Sequence, residues 1–158
     1  MYAIWVIVTL GMLTGAYALF DNQTLSSTPN PVNMNLALSM SAYREAVVAY
    51  AQKNPAFQGQ VPVGGLALPT GTQTASLRNY VEPNAGGVAG SVVVIYGTAA
   101  SSGTAALDVE QMAQGSALAG IAQAGSIQSP GNPAVPLPDA IAATVPNGAV
   151  VWMAQAYL

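Results

Sequence analysis

The pattern of apolar and polar positions divides this chain into three stretches. From Met1 to Phe20 (MYAIWVIVTLGMLTGAYALF) there is no charged side chain, and Asp21 and Asn22 end the run. A helix of that length, at ~1.5 Å per residue, spans ~30 Å, the thickness of one hydrocarbon core. Tyr2 and Trp5 near one end, and Tyr17 and Phe20 at the other, suit the two headgroup interfaces. Residues 1–20 are therefore expected to be a transmembrane anchor. Residues 21–33 (DNQTLSSTPNPVN) are rich in Ser, Thr, Asn and Pro and read as a linker. Residues 34–158 carry mixed patterns and are expected to form one domain.

Within that domain, Leu36, Met40, Tyr43, Val47 and Tyr50 recur at steps of four and three. They form the core face of an amphipathic helix over about 34–53, with Asn33 as cap and Asn54-Pro55 as stop. Glycines and prolines make residues 56–74 a loop. Leu77 to Val81 reads as a short strand, Asn84-Ala85-Gly86-Gly87 as a turn, and Ser91 to Tyr96 (SVVVIY) as a strand covered on both faces. Asp108 and Gln111 have the spacing of a capping box, which predicts a second helix from Val109 to about Ala124, stopped by Gly125. Ser126 to Gln128 reads as a short edge strand and Ala149 to Ala154 (AVVWMA) as a final buried strand in which Trp152 packs. The fold class that follows is α+β: an N-terminal transmembrane helix, then two helices packed on a mainly antiparallel sheet of about 3–4 strands.

The opening segment has two rival readings. Ala16-Tyr17-Ala18 has the form of a signal-peptidase site, but no Lys or Arg precedes the apolar run, which is longer than a usual h-region. A prepilin would carry a basic leader and a glutamate five residues beyond a glycine. Five residues past Gly11 and Gly15 stand Ala16 and Phe20. An uncleaved anchor is the better account. Its α-amino end favours an N-inside arrangement, which would put the domain in the periplasm and the protein in a bacterial inner membrane. Gly11 and Gly15 share a helix face as a GxxxG, a candidate site for self-association through the anchor.

Composition narrows the chemistry. Only 6% of the 158 residues are charged, against a usual ~25%, and the net charge is −3. Lys53, Arg44 and Arg78 make no basic patch for nucleic acid. With no histidine and no cysteine, metal ligation would depend on Asp21, Glu45, Glu82, Asp108, Glu110 and Asp139, of which only Asp108 and Glu110 are close in sequence. Gly86-Gly87-Val88-Ala89-Gly90 lacks the spacing of a phosphate loop. The serines have no usual base. No catalytic, metal or cofactor site and no small-molecule substrate is expected, and the chain is read as not an enzyme.

Several stretches carry a family likeness. They are Tyr43-Arg44-Glu45-Ala46-Val47-Val48-Ala49-Tyr50-Ala51, Asn54-Pro55, Gly59, Leu68-Pro69, Leu137-Pro138 and Val145-Pro146-Asn147-Gly148-Ala149-Val150-Val151. With the N-terminal apolar segment and the length, they resemble the PilM family of type IVb pilus systems, which include conjugative thin pili. The resemblance implies a non-enzymatic inner-membrane component of pilus biogenesis, engaged in pilin transport or in the basal body. Its partners would be the membrane, through one span, and other pilus-assembly proteins. The alternative is an exported minor pilin or adhesin-like subunit whose N-terminal segment is processed.

Overall fold

The computed structural model describes residues 31–101 and 103–157. Helix α1 (Pro31–Lys53) is followed by strand β1 (Leu77–Pro83), β2 (Ser91–Gly97), helix α2 (Gly103–Met112), β3 (Ala119–Gln123), β4 (Ser126–Gln128), β5 (Val135–Pro136), the short helix α3 (Asp139–Ala142) and β6 (Val150–Ala156). The strands form one sheet of six in the order β1-β2-β6-β3-β4-β5, and every pairing is antiparallel. The last strand in sequence thus lies between β2 and β3 and joins two hairpins into one sheet.

Both faces of the sheet are buried, because β2 and β6 are apolar at nearly every position. On one face Met40, Tyr43 and Val47 of α1 and Val109 of α2 pack on Leu77, Val81, Val93, Ile95, Val150 and Trp152. On the other, Leu137, Ile141 and Val145 cover Val94, Ile127, Val151 and Met153. Met40, Tyr43 and Val47 are fully buried, together with Ala37 and nearly Ala51. Leu36 and Tyr50 are partly buried against the same core. Asn33 lies inside α1, which begins at Pro31.

A buried amide ties α1, the following loop and β1 together. The Asn79 side chain is 1% exposed. Its Oδ1 accepts from the Val61 N–H at 2.7 Å, and its Nδ2 donates to the Val61 carbonyl at 2.9 Å and to the Tyr43 hydroxyl at 2.6 Å. Two residues along, Gly59 and Val81 exchange backbone hydrogen bonds at 2.9 Å each way. The loop therefore occupies part of the outer edge of β1, where an unpaired strand would otherwise invite pairing.

The expected sheet of 3–4 strands is corrected to six, and the main reason lies between residues 103 and 124. Helix α2 starts at Gly103 and ends at Met112, so Asp108 is an interior residue rather than a cap. The Gly115 N–H donates to the Glu110 carbonyl at 2.9 Å and the Gln114 N–H to the Gln111 carbonyl at 3.0 Å, the pattern of a Schellman stop. Gln114 (φ 55) and Gly115 (φ 69) take the left-handed turn. The alanine-rich stretch that follows has helical propensity, yet it becomes β3 because β6 and β4 flank it with unpaired backbone. Gly120 makes this possible: a Cβ there would stand 2.2 Å from the Gln128 carbonyl oxygen. Gly125 is a hairpin residue between β3 and β4 rather than a helix stop. A third helix, α3, covers the second face, where none was expected.

The membrane-spanning helix is also removed from the fold class. Among the described residues no helix is long and apolar enough to cross a membrane. The inner-membrane location with a periplasmic domain, and the single span as a partner of the lipid phase, are corrected with it. The segment 1–20 from which they were drawn, with Gly11 and Gly15, lies outside the described residues.

Two substitutions test this account. Gly120→Ala should destabilise the domain by roughly 1–3 kcal/mol, the usual cost of overpacking, read as a lower urea midpoint. Asn79→Ala should cost about 1–3 kcal/mol for orphaning buried polar groups. Tyr43→Phe, which leaves both Val61 bonds in place, should cost less in the same assay.

Candidate functional site

The titratable groups are dispersed. Among the described residues no three acidic, histidine or cysteine side chains come close enough to hold a metal ion. Asp108 and Glu110, neighbours in sequence, have separate surroundings. The Asp108 Oδ2 is buried without a hydrogen-bond partner, and partial burial pushes the Glu110 carboxyl above the usual carboxylate range.

The feature that stands out is a groove beside the C-terminal half of β6. Helix α1 places Arg44 one position past Tyr43, at the border of its buried face. From there the guanidinium carbon sits 4.2 Å from the centroid of the Trp152 ring. Trp152 is 4% exposed and presents its face to the cation, an arrangement worth ~0.5–2 kcal/mol. The Arg44 Nε is buried and has no hydrogen-bond partner. Burial lowers the guanidinium pKa and Glu45 opposes that shift, but an arginine remains charged.

The groove is open to the surface and has a volume of about 410 Å³. One wall is the α2 stop, from Met112 through Gln114 to Ser116; the other is β6 from Trp152 to Gln155, with Tyr157 beyond it. Among the described residues, Arg44 is the only charged side chain in its lining. Tyr157 is 58% exposed, and its carbonyl accepts from Gln52 Nε2 at 3.4 Å.

Backbone groups matter here as much as side chains. Strand β2 pairs with β6 from Tyr96↔Val151 to Ser91↔Ala156. On the other side the ladder with β3 begins at Ile121↔Val150 and stops at Ala119↔Trp152. One further bond follows, from the Met153 N–H to the Leu118 carbonyl at 2.7 Å. The chain before Leu118 then turns away into the α2 stop. Backbone groups alternate sides along a strand. Since Met153 faces the β3 side, Gln155 faces it too, with no described residue paired to it there.

None of this was singled out from the sequence. Trp152 was expected only to pack. Arg44 enters the sequence reading as one of three cations that make no basic patch, although its position four residues after Met40 and three before Val47 borders the buried stripe. The open edge of β6 has no sequence signal, because it depends on where β3 begins.

The comparisons can now be set beside this geometry. No curated protein matches the chain. The crystal structure of a PilM protein from Escherichia coli B7A superposes with a TM-score of 0.54 at 17% identity, over 77% of this chain and 90% of that one, which is a likeness of fold. The family model for PilM matches residues 8–153, nearly the whole length, in accord with the likeness carried by Tyr43–Ala51 and Val145–Val151. The chain therefore belongs to the PilM family and has a pilus-related role.

Proposed function

We propose that this chain is a non-enzymatic component of type IVb pilus biogenesis that acts by binding other assembly proteins, in pilin transport or as part of a basal scaffold. The observation that carries the reading is the PilM match across residues 8–153. The residue supply supports it: with no histidine and no cysteine in 158 residues, the commonest general base and the strongest nucleophile are both missing. What the domain does offer is surface. The groove beside β6 joins a half-buried cation, an aromatic ring and unpaired backbone, features that recognise another polypeptide rather than transform a small molecule.

The test is deletion of the coding sequence in the native host, with pili counted by electron microscopy and pilin followed by immunoblot. The expected result is loss of surface pili while pilin is still made, restored by the intact chain. Normal numbers of pili in the deletion strain would overturn the reading. Recovery of the chain as a constituent of sheared fibres would favour the alternative of a minor subunit.

A further inference from the structure

We propose that the groove beside β6 is a strand-addition site. An extended, acidic segment of another polypeptide pairs its backbone with the open edge at Gln155 and sets a carboxylate against Arg44. The proposal deepens the preceding reading and rests on its premise that the chain works through protein contacts.

Three observations converge on this surface. The first is the half-paired strand. Beyond Met153, β6 keeps its ladder with β2 but has lost β3, and Gln155 directs its N–H and C=O into the groove. Such an edge is a template for another strand. Lysines, prolines and bulges commonly block edges, and Ala154, Gln155 and Ala156 supply none of them. The second is Arg44. Its Nε–H is buried without an acceptor, its guanidinium is held against Trp152, and among the described residues no acid lines the groove. A carboxylate in the groove would accept a charge-assisted bond from the accessible N–H groups of the guanidinium. The third is room: the groove, of about 410 Å³, lies open along the strand edge, so an extended chain can enter it from the side.

Charge selects the occupant. A second copy of this chain pairing edge to edge would present Ala154, Gln155 and Ala156, none of which carries a carboxylate for Arg44. An acidic segment from a different protein meets the opposite situation.

The test uses the full chain with Trp5→Phe, so that Trp152 is the single tryptophan. The probe is the peptide acetyl-Asp-Thr-Val-Thr-Val-Asp-amide, with an acid at each end so that either strand direction brings one to Arg44. Expected are a saturable change in Trp152 fluorescence and, in ¹⁵N-resolved spectra, a downfield shift and slowed exchange of the Gln155 amide. Replacing both Asp by Asn, or making Arg44→Gln, should weaken binding about tenfold. Gln155→Pro removes an N–H that β2 does not use, so it should abolish binding while leaving the β2–β6 ladder in place. Peptides N-methylated at alternate residues provide a control on unaltered protein: one methylation frame should lose at least tenfold and the other little, since only one set of N–H groups faces Gln155.

Equal loss in both frames, affinity indifferent to Arg44 and to the Asp residues, or no response at millimolar peptide would overturn the proposal. So would a monomer–dimer equilibrium abolished by Gln155→Pro with no peptide response, which assigns the edge to a second copy. Peptide binding in a chain whose deletion leaves pili intact would refute the pilus role alone. Loss of pili without peptide binding would refute the strand-addition site alone.

Discussion

Strand β6 sets the constraint on which the rest of the domain depends. Val150, Val151, Trp152 and Met153 are all buried, and they alternate between the two faces of the sheet. Each such side chain contributes ~1.5–3 kcal/mol only if it leaves water, so neither face can be left open. Helices α1 and α2 cover one face. Residues 137–145, around α3, cover the other. Because β6 also supplies the ladder for β2 on one side and β3 on the other, it holds the β1–β2 and β3–β4–β5 segments in one sheet.

The same strand produces the candidate interaction surface. It is matched along most of its length by β2 but only in its first half by β3. The mismatch originates in the stop of α2: Gln114 and Gly115 reverse the chain, and Ser116 leaves the sheet plane before it could face Gln155. Helix α1, docked over the same end, brings Arg44 onto the Trp152 ring. An edge that would otherwise be neutral thus acquires a charge preference, and the preference comes from packing between elements more than a hundred residues apart in the chain.

At the other end of the sheet the equivalent hazard is managed differently. The outer edge of β1 is partly occupied by the loop at Gly59 and Val61, held by the Asn79 amide. The buried amide costs desolvation, which its three hydrogen bonds offset. One exposed edge is partly closed by this chain itself, while among the described residues the half-edge of β6 keeps the Gln155 donor and acceptor unpaired.

How much of this was legible beforehand differs element by element. The stripe from Leu36 through Met40, Tyr43 and Val47 to Tyr50 is periodic over about four turns, and Ser91–Tyr96 holds the continuous β-branched run Val92–Ile95; both signals are local, so the helix and the strand are where the pattern puts them. The final strand was read as Ala149–Ala154 and is Val150–Ala156 for the same reason. The helix that the capping-box spacing of Asp108 and Gln111 predicts over Val109–Ala124 ends at Met112, and Ala119–Gln123 is a strand, because its state is decided by partners β4 and β6 and by the space for only a hydrogen at Gly120. The sequence by itself determined that the chain is an α+β protein of the PilM kind, poor in the residue types that catalysis needs, because composition and short-range periodicity are properties of the chain alone. Only the tertiary structure decided that the sheet has six strands, that β6 lies at its centre with a half-open edge, and that Arg44 meets Trp152, because strand order and cation placement are settled by which distant surfaces bury one another.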